Sequence, residues 1–337
     1  GKPAPKKVNP PMEGLEARRV ALRVLRDVTE NGAYASLSLD KALRDSGLPF
    51  VDRRLVSRLV YDTLDRLIYL DWVLSQVMAR EDTDIKLRNI LRLGACQILI
   101  EDRIPESAAT NTSVALCEEL GMAGLKGVCN GVLRNLIRKR EELIFPDPEK
   151  EPEKAFSIRY SVPEWLGTRL TREYGEEAAS RLVSFRAENL PVTLRMNPLK
   201  HTSESFQALL DKKIWGREPG TLPGTWRITG AVDIARDADF LAGYFSIQSE
   251  SSIMACLAMD VKRGMKVLDC CAAPGGKTGC LAEMMGGTGR VQAWDIHEHR
   301  VELISAQARR LGLENVRPII RDATKLREDL RMSMDAV

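Results

Sequence analysis

Residues 267–285, VLDCCAAPGGKTGCLAEMM, combine several residue types that could do chemistry. Two adjacent cysteines, Cys270 and Cys271, follow an apolar run, and a pair of thiols can act as a nucleophile, a redox centre or metal ligands. A turn with a proline, two glycines and a lysine comes next, and a helix-like segment follows it. The stretch therefore offers two kinds of chemistry, one in the thiols and one in the backbone of the turn.

The cysteines and histidines do not favour a metal site or a disulfide framework. Zinc sites and disulfide-rich domains need regularly spaced ligands, but this sequence has no C-x-x-C pair and only three histidines. We therefore expect no bound metal. Mostly reduced cysteines are typical of a cytoplasmic protein, which is the location we expect. The seven cysteines are Cys96, Cys117, Cys129, Cys256, Cys270, Cys271 and Cys280.

The backbone of the turn is suited to binding a ligand. Val267–Asp269 predicts a strand, and Lys277 and Thr278 open the next predicted helix. Gly275 and Gly276 let the backbone approach a ligand closely, and the helix N-terminus offers free N–H groups and a positive dipole end. In open α/β sheets, ligands bind beyond the carboxyl ends of the strands, which is where this turn lies.

Two carboxylates end the next two predicted strands. Asp295 ends VQAWD, at a spacing from the glycines where an acidic side chain can accept hydrogen bonds from ribose hydroxyls. Asp322 ends IIRD, where it could reach the edge of an adenine. Together with the glycine turn, the two aspartates predict a nucleoside-binding site. The alternative is that both residues only cap helices, which is a common role of Asp at such positions.

The elements that carry these motifs belong to the last of several predicted segments. Apolar residues at three- and four-residue steps predict at least five helices and an all-α bundle in the first part of the chain. Strands that alternate with helices predict a parallel, doubly wound α/β sheet in the last part. We predict a disordered lead-in (1–14), the helical bundle (15–145), a linker (146–154), a small α/β subdomain (155–240) and the doubly wound domain (241–337).

Short segments give the finer predictions. PVTLRMNP, WRITG and VDIA predict strands in the small subdomain, and SESFQALLDKK predicts a helix. MDAV, at the end of the sequence, predicts the start of a fourth strand of the parallel sheet. Since such a sheet needs more strands and the chain does not begin with Met, we expect the sequence to be a fragment.

The helical segment carries a surplus of arginine, with 16 Arg and 7 Lys in residues 1–145. Arginine suits bidentate contacts to phosphate and stacking on bases, so a nucleic acid is a possible partner. The alternative is that each arginine lies on an ordinary solvated helix face. No apolar run is long enough to cross a bilayer, so we expect no membrane association. We also expect the protein to be a monomer. The candidate RNA contacts are Arg18, Arg19, Arg23, Arg53, Arg54, Arg134, Arg138 and Arg140.

The string LDCCAAPGGKT closely resembles motif I, L-D-x-C-A-A-P-G-G-K-T, of the S-adenosylmethionine-dependent RNA cytosine-C5 methyltransferases. Residues 243–255 resemble the segment that precedes motif I, and residues 163–200 resemble the RNA-contacting subdomain of these enzymes. LRLGACQIL, IPESAATNTSVALCEELG and GVCNGVLRNLIRKRE are similar to the RNA-binding NusB domain. This combination is that of the bacterial small-subunit ribosomal RNA methyltransferases called Fmu or Sun.

The resemblance implies an S-adenosylmethionine-dependent, Rossmann-like methyltransferase domain that acts on 16S ribosomal RNA. Asp295 would hold the ribose hydroxyls and Asp322 would lie near the adenine. Lys277 could instead be a surface lysine that opens the helix, and we expect Cys270 to pack in the strand. The residues implied to wrap the methionine part of the cofactor are Cys271, Ala272, Ala273, Pro274, Gly275, Gly276 and Lys277.

The resemblance also implies how carbon 5 of a cytosine is methylated. In the family, a cysteine thiolate adds to carbon 6, and a second cysteine assists the later elimination; they belong to D-A-P-C-S and T-C-S motifs. This sequence has neither a Pro-Cys nor a Thr-Cys dipeptide, and MDAV aligns just ahead of the first motif. We therefore assign no catalytic residue and expect residues 1–337 to be inactive alone. Transfer RNA as the substrate, or a non-catalytic module that binds RNA and cofactor, remain the alternatives.

Overall fold

A computed structural model describes residues 14–79, 83–184, 191–230, 232–325 and 327–337. The predicted lead-in therefore lies outside the described residues except for Gly14. The chain divides into two compact units, residues 1–185 and residues 186–337. Within the described residues, no helix is long and apolar enough to span a membrane.

The first unit contains the predicted helical bundle. Its buried side chains form one apolar core, and α5 is buried on almost every side. One long helical pattern is divided at Arg66, whose φ of −120° and ψ of 21° separate α3 from α4. The bundle helices are α1 (Leu15–Asn31), α2 (Ala35–Asp45), α3 (Phe50–Asp65), α4 (Leu67–Val77), α5 (Ile85–Leu99), α6 (Glu106–Glu119) and α7 (Lys126–Lys139).

Three further helices complete this unit: α8 (Pro152–Tyr160), α9 (Glu164–Tyr174) and α10 (Glu176–Ser184). α8 begins inside the predicted linker, because a proline fits the first helical position, where its missing N–H is not needed. Ser161 joins α8 to the bundle, since its hydroxyl accepts the backbone N–H of Ile68 at 3.0 Å and so caps α4.

The second unit begins with a small antiparallel sheet in the order β2-β3-β1-β4. The prediction that VDIA is a strand is wrong: Ile234–Arg236 is a 3₁₀ turn, and Asp237 caps the short helix after it by accepting the N–H groups of Asp239 and Phe240. The elements are β1 (Val192–Met196), α11 (Ser203–Asp211), β2 (Gly216–Pro219), β3 (Thr225–Thr229), α12 (Ala238–Leu241) and β4 (Phe245–Ile247).

A parallel sheet in the order β5-β6-β7 follows, as predicted. Ala336, in MDAV, pairs in parallel with Val267 of β5 on the side away from β6. The strand order therefore reverses at β5, and this reversal is the point where open α/β sheets bind ligands. The elements are α13 (Glu250–Ala258), β5 (Lys266–Asp269), α14 (Gly276–Met284), β6 (Arg290–Asp295), α15 (Glu298–Leu311) and β7 (Val316–Ile320).

Two local expectations for the parallel sheet are wrong. Cys270 lies in the turn after β5 and not in the strand, because β5 ends at Asp269. Asp322 does not end β7, which stops at Ile320; it lies in the loop that follows the strand. The structure thus places Asp295 at a strand end and Asp322 beyond one.

Candidate functional site

The turn between β5 and α14 has a backbone that requires glycine. Gly275 has φ 106°, in the left-handed region that L-residues rarely adopt. A Cβ atom at Gly275 would lie 3.4 Å from the Cα of Ile304 and 3.5 Å from the Cβ of Gln307 in α15, which are ordinary contact distances. The need for glycine therefore comes from the left-handed φ, which a side chain would strain.

The N-terminus of α14 is open to a ligand. Gly275 provides no side-chain cap, and a Cβ atom built at Gly276 meets nothing within 4 Å among the described residues. The first backbone bond of the helix runs from the N–H of Gly279 to the carbonyl of Gly275 at 2.8 Å. The preceding N–H groups point out of the helix, where an anionic group such as a carboxylate is favoured. Lys277 is exposed beside them.

A buried side-chain hydrogen bond ties this helix to the end of β5. The hydroxyl of Thr278, which is 1% exposed, donates to Oδ2 of Asp269 at 2.7 Å. The other carboxylate oxygen accepts the N–H of Cys271 at 3.4 Å. Asp269 and Thr278 thus fix both ends of the turn. Neither residue was predicted to have a role, although an acidic residue at the end of the first parallel strand is a signal in the sequence.

Backbone hydrogen bonds bring the three strand ends together. The N–H of Ala272 donates to the carbonyl of Trp294 at 2.8 Å, which joins the turn to the end of β6. The N–H of Arg321 donates to the carbonyl of Asp295 at 2.8 Å, which joins β6 to the loop after β7. The predicted cofactor residues therefore lie along one edge of the parallel sheet.

Asp295 lies at this edge with its side chain 5% exposed. Its Oδ1 accepts the N–H of His297 at 3.2 Å, and Oδ2 lies 3.5 Å from Nη1 of Arg300. These contacts orient the carboxylate. Ile296, directly after it, is 56% exposed, which is unusual for isoleucine and offers an apolar surface that the sequence analysis did not identify.

Asp322 is engaged in its own loop. Its Oδ1 accepts the N–H of Thr324 at 2.9 Å and the hydroxyl of Thr324 at 2.6 Å. These hydrogen bonds hold the pKa of Asp322 below its ordinary value, and the bond from the hydroxyl has the larger effect. The carboxylate is therefore a charged acceptor that shapes the loop after β7.

The cysteines do not form a reactive pair. Cys271 is exposed, but partial desolvation of its thiol and the neighbouring Cys270 raise its pKa, so the thiolate is disfavoured. Cys270 is half-buried. In the helical bundle, burial raises the pKa of Cys96 to about 12. The remaining cysteines are buried, and among the described residues no group of three or more His, Cys, Asp or Glu side chains could hold a metal ion.

The arginines proposed to contact RNA fall into different environments. Arg18 is 7% exposed and donates to the side chain of Gln97 at 2.9 Å, so the prediction that it lies on an accessible surface is wrong. Arg19 is paired with Glu119 through two hydrogen bonds of 2.7 Å, and Arg140 pairs with Glu106 at 2.7 Å.

The other five arginines, like Arg19 and Arg140, lie at least partly on the surface. Arg53 and Arg54 lie over the ring of Phe50, with 5.8 Å and 6.0 Å between guanidinium carbon and ring centroid. Arg23 is exposed and reaches the carbonyl of Ala42. Arg134 and Arg138 are exposed on α7 and donate to asparagines of the same helix, Asn130 and Asn135.

Comparison with known proteins identifies the family of the chain. Residues 15–138 match the NusB family, residues 162–235 match the ferredoxin-like domain of RsmF/B-like methyltransferases, and residues 256–337 match the 16S rRNA methyltransferases RsmB/F. A probable ribosomal RNA small subunit methyltransferase B of Synechocystis is 32% identical over 310 residues, which cover 90% of this chain and 68% of that protein. The chain belongs to the ribosomal RNA small subunit methyltransferase B family.

Two further similarities concern the family and the fold. The probable small subunit methyltransferase B of Bacillus subtilis is 32% identical over 318 residues, covering 94% of this chain and 71% of the relative. The crystal structure of PH0851 has a TM-score of 0.74 and 23% identity, with 95% of this chain and 71% of that chain covered, and thus shares the fold.

Membership of the small subunit methyltransferase B family confirms two predictions. The fold is a NusB-like helical region, a ferredoxin-like domain and an α/β methyltransferase region, as expected. The cofactor of the family is S-adenosylmethionine, as the motif I resemblance implies. The domain boundaries and the individual site residues stay predictions.

Proposed function

We propose that this protein methylates carbon 5 of a cytosine in 16S ribosomal RNA of the small subunit, in the cytoplasm. The observation that carries the proposal is the open N-terminus of α14 beside the buried carboxylate of Asp295, at the point where the strand order reverses. This arrangement suits a ligand with an anionic group at one end and a ribose diol at the other. S-adenosylmethionine has both groups and supplies the methyl group.

The proposed cofactor contacts follow from this edge of the sheet. The backbone of Cys271–Lys277 would receive the methionine part, with the free N–H groups of α14 toward its carboxylate. Asp295 would accept the ribose hydroxyls, since its buried oxygens are already oriented by His297 and Arg300. Ile296 would offer its exposed side chain to the adenine ring, and Asp322 would shape the loop beside it.

We propose that none of the seven cysteines is the nucleophile. Carbon 5 of cytosine reacts only after a thiolate has added to carbon 6, and this requires an accessible cysteine with a favourable thiolate form. Five of the cysteines are buried, Cys270 is half-buried, and the pKa of the exposed Cys271 is raised. In the proposed reaction, residues 1–337 supply the binding of cofactor and RNA, and no residue among them is proposed as catalytic.

For RNA, the exposed face of α7 is the strongest part of the proposed surface. Gly127 and Gly131 precede Arg134 and Arg138 at steps of four, three and four residues, which places all four on one side of the helix. Cβ atoms built at the two glycines meet nothing within 4 Å among the described residues. A phosphate backbone could therefore come close to the helix and meet both guanidinium groups.

The substrate is tested by bisulfite sequencing of RNA from cells with and without the gene. Loss of one 5-methylcytosine from 16S ribosomal RNA in the deletion strain is the expected result. If 16S RNA keeps its methylcytosines and a transfer RNA loses one, the substrate is transfer RNA. If neither RNA changes, the proposed cytosine chemistry is wrong.

A further inference from the structure

The antiparallel sheet of the second unit has one apolar and one polar face. Leu194 of β1 is fully buried in an apolar core with Phe206 of α11. The next residue, Arg195, points to the opposite face because side chains alternate along a strand. Arg195 is 7% exposed although it carries a full positive charge, so its surroundings must compensate that charge.

The compensation comes from α14. Nη1 of Arg195 donates to Oε2 of Glu283, Nη2 lies 3.4 Å from Oε1 of Glu283, and Nε donates to Oε1 of Gln248 at 2.7 Å. Glu283 is 2% exposed, and this burial raises the pKa of its carboxyl. A buried ion pair is tolerated only when both charges meet in good geometry, so the contact admits little displacement of α14 from the sheet.

Glu283 and the proposed cofactor turn lie at opposite ends of one short helix. α14 has nine residues, begins at Gly276 and contains Glu283 next to its last residue. A helix of this length behaves as a rigid rod, so holding its C-terminal end also fixes the position of its N-terminal end. The ion pair therefore influences the position of the turn, although it does not contact the turn.

α15 is held on the same sheet in a similar way. Nη1 of Arg310 donates to the carbonyls of Phe240 at 2.6 Å and Phe245 at 3.0 Å. Nδ2 of Asn197 donates to the carbonyl of Leu311 at 3.1 Å, which satisfies one of the last carbonyls of the helix. α14 follows the turn and α15 follows Asp295. Both helices are thus fixed at their C-terminal ends by the antiparallel sheet and the residues next to its strands.

We propose that Arg195 is a positioning residue for the cofactor turn. Through Glu283, the antiparallel sheet sets the placement of α14 and of residues 271–277, and thereby the affinity for S-adenosylmethionine. The affinity part of this inference rests on the proposed function, whereas the placement of the turn does not.

The test uses hydrogen–deuterium exchange of the whole chain, with calorimetric titration of S-adenosylmethionine as a second readout. The first variant is Glu283→Gln, which keeps the shape of the side chain and removes its charge. The second is Arg195→Met with Glu283→Leu, which removes both charges and guards against loss of folding. In each variant, backbone exchange over residues 271–280 is expected to become faster, and the Kd to rise about tenfold.

The matched control is Asp71→Asn in the helical bundle. It breaks the ion pair in which Nη2 of Arg92 lies 2.6 Å from Oδ2 of Asp71. It should lower the melting temperature while leaving exchange over 271–280 and the Kd unchanged. Unchanged exchange over 271–280 in both test variants would overturn the inference. If the wild-type chain does not bind S-adenosylmethionine, the proposed function fails, but the exchange rates still decide whether Arg195 positions the turn.

Discussion

The hydroxyl of Thr278 donates to the carboxylate of Asp269 across the turn that joins β5 to α14, at 2.7 Å. The bond connects the first turn of a helix to the end of the strand before it. Because Thr278 is almost completely buried, the hydroxyl cannot exchange this partner for water. The turn is therefore held in its shape before a ligand arrives, which reduces the ordering cost of binding.

Thr278→Val should weaken S-adenosylmethionine binding. The substitution keeps the shape of the side chain but leaves Oδ2 of Asp269 without the hydroxyl that donates to it, at a cost of about 1–3 kcal/mol. If this cost falls on the bound state, Kd should rise by about 5- to 150-fold. The measurement is calorimetric titration. Thr110→Val is the control, since the hydroxyl of Thr110 donates to the carbonyl of Glu106 in its own helix, at 2.9 Å. Equal losses of affinity in both variants would contradict the role of Thr278.

Alanine substitutions at the two glycines of the turn should have different effects. Gly275→Ala puts a side chain at φ 106°, so we expect the stability to fall by about 1–3 kcal/mol. We also expect the binding of S-adenosylmethionine to weaken. Gly276→Ala meets open space and should leave the melting temperature unchanged or slightly higher. It should nevertheless weaken S-adenosylmethionine binding, because the new methyl group would occupy the space proposed for the ligand. Thermal melting and titration of both variants decide, and unimpaired binding by Gly276→Ala would contradict the proposed contact.

The carboxylate of Glu250 should make stability depend on acid pH. Hydrogen bonds from the backbone N–H of Leu222 and from neighbouring donors, including Arg227, lower the pKa of Glu250 from 4.5 to about 2. A carboxyl with a lowered folded-state pKa stabilises the fold above the unfolded value, and this contribution is lost as the pH falls from about 4.5 to about 2. Glu250→Gln should therefore melt at a lower temperature than the wild type at pH 7, and the difference should shrink over that interval. The exposed Glu314→Gln is the control. A constant difference across the interval would argue against Glu250 as the cause.

Removing the two exposed arginines of α7 should weaken RNA binding and its salt dependence. Arg134→Ala with Arg138→Ala is expected to reduce the slope of log K against log salt for 16S RNA fragments by about 1–2, because each phosphate contact contributes about 0.7–0.9. Arg18→Gln is the comparison, since Arg18 is buried and should not touch RNA. Fluorescence anisotropy at several salt concentrations measures the slope. An unchanged slope in the double variant would remove α7 from the RNA surface.

Periodicity and residue type were sufficient for the parts of the fold that have strong local signals. β5 and β6 end at Asp269 and Asp295 as predicted, because each is an apolar run closed by a carboxylate and a turn. β2 and β4 were not predicted. They have four and three residues, and pairing with β3 and β1 holds them, so partners far along the chain decide their state.

The site divides in the same way. The placement of the glycine turn after β5 and of Asp295 at the end of β6 could be predicted from the sequence, since strand, turn and helix are neighbours along the chain. The burial of Arg18 and the partner of Arg195 could not be predicted, because both depend on residues far along the chain. Gln97 lies 79 residues from Arg18, and Glu283 lies 88 residues from Arg195. VDIA was misassigned because a tight turn forms there: the N–H groups of Arg236 and Asp237 donate to the carbonyls of Asp233 and Ile234 at 3.2 Å and 3.0 Å.

The proposed cofactor site is tested most directly by calorimetric titration of S-adenosylmethionine into the wild-type chain and into Asp295→Asn. The substitution keeps the acceptor for the N–H of His297 and the size of the side chain, but removes the charge and one acceptor oxygen for the ribose. We predict that the wild type binds and that the Kd of the variant is about tenfold higher or more, since a charged hydrogen bond is lost. Equal affinity in the two proteins, with both folded by thermal melting, would contradict the assignment of the cofactor site.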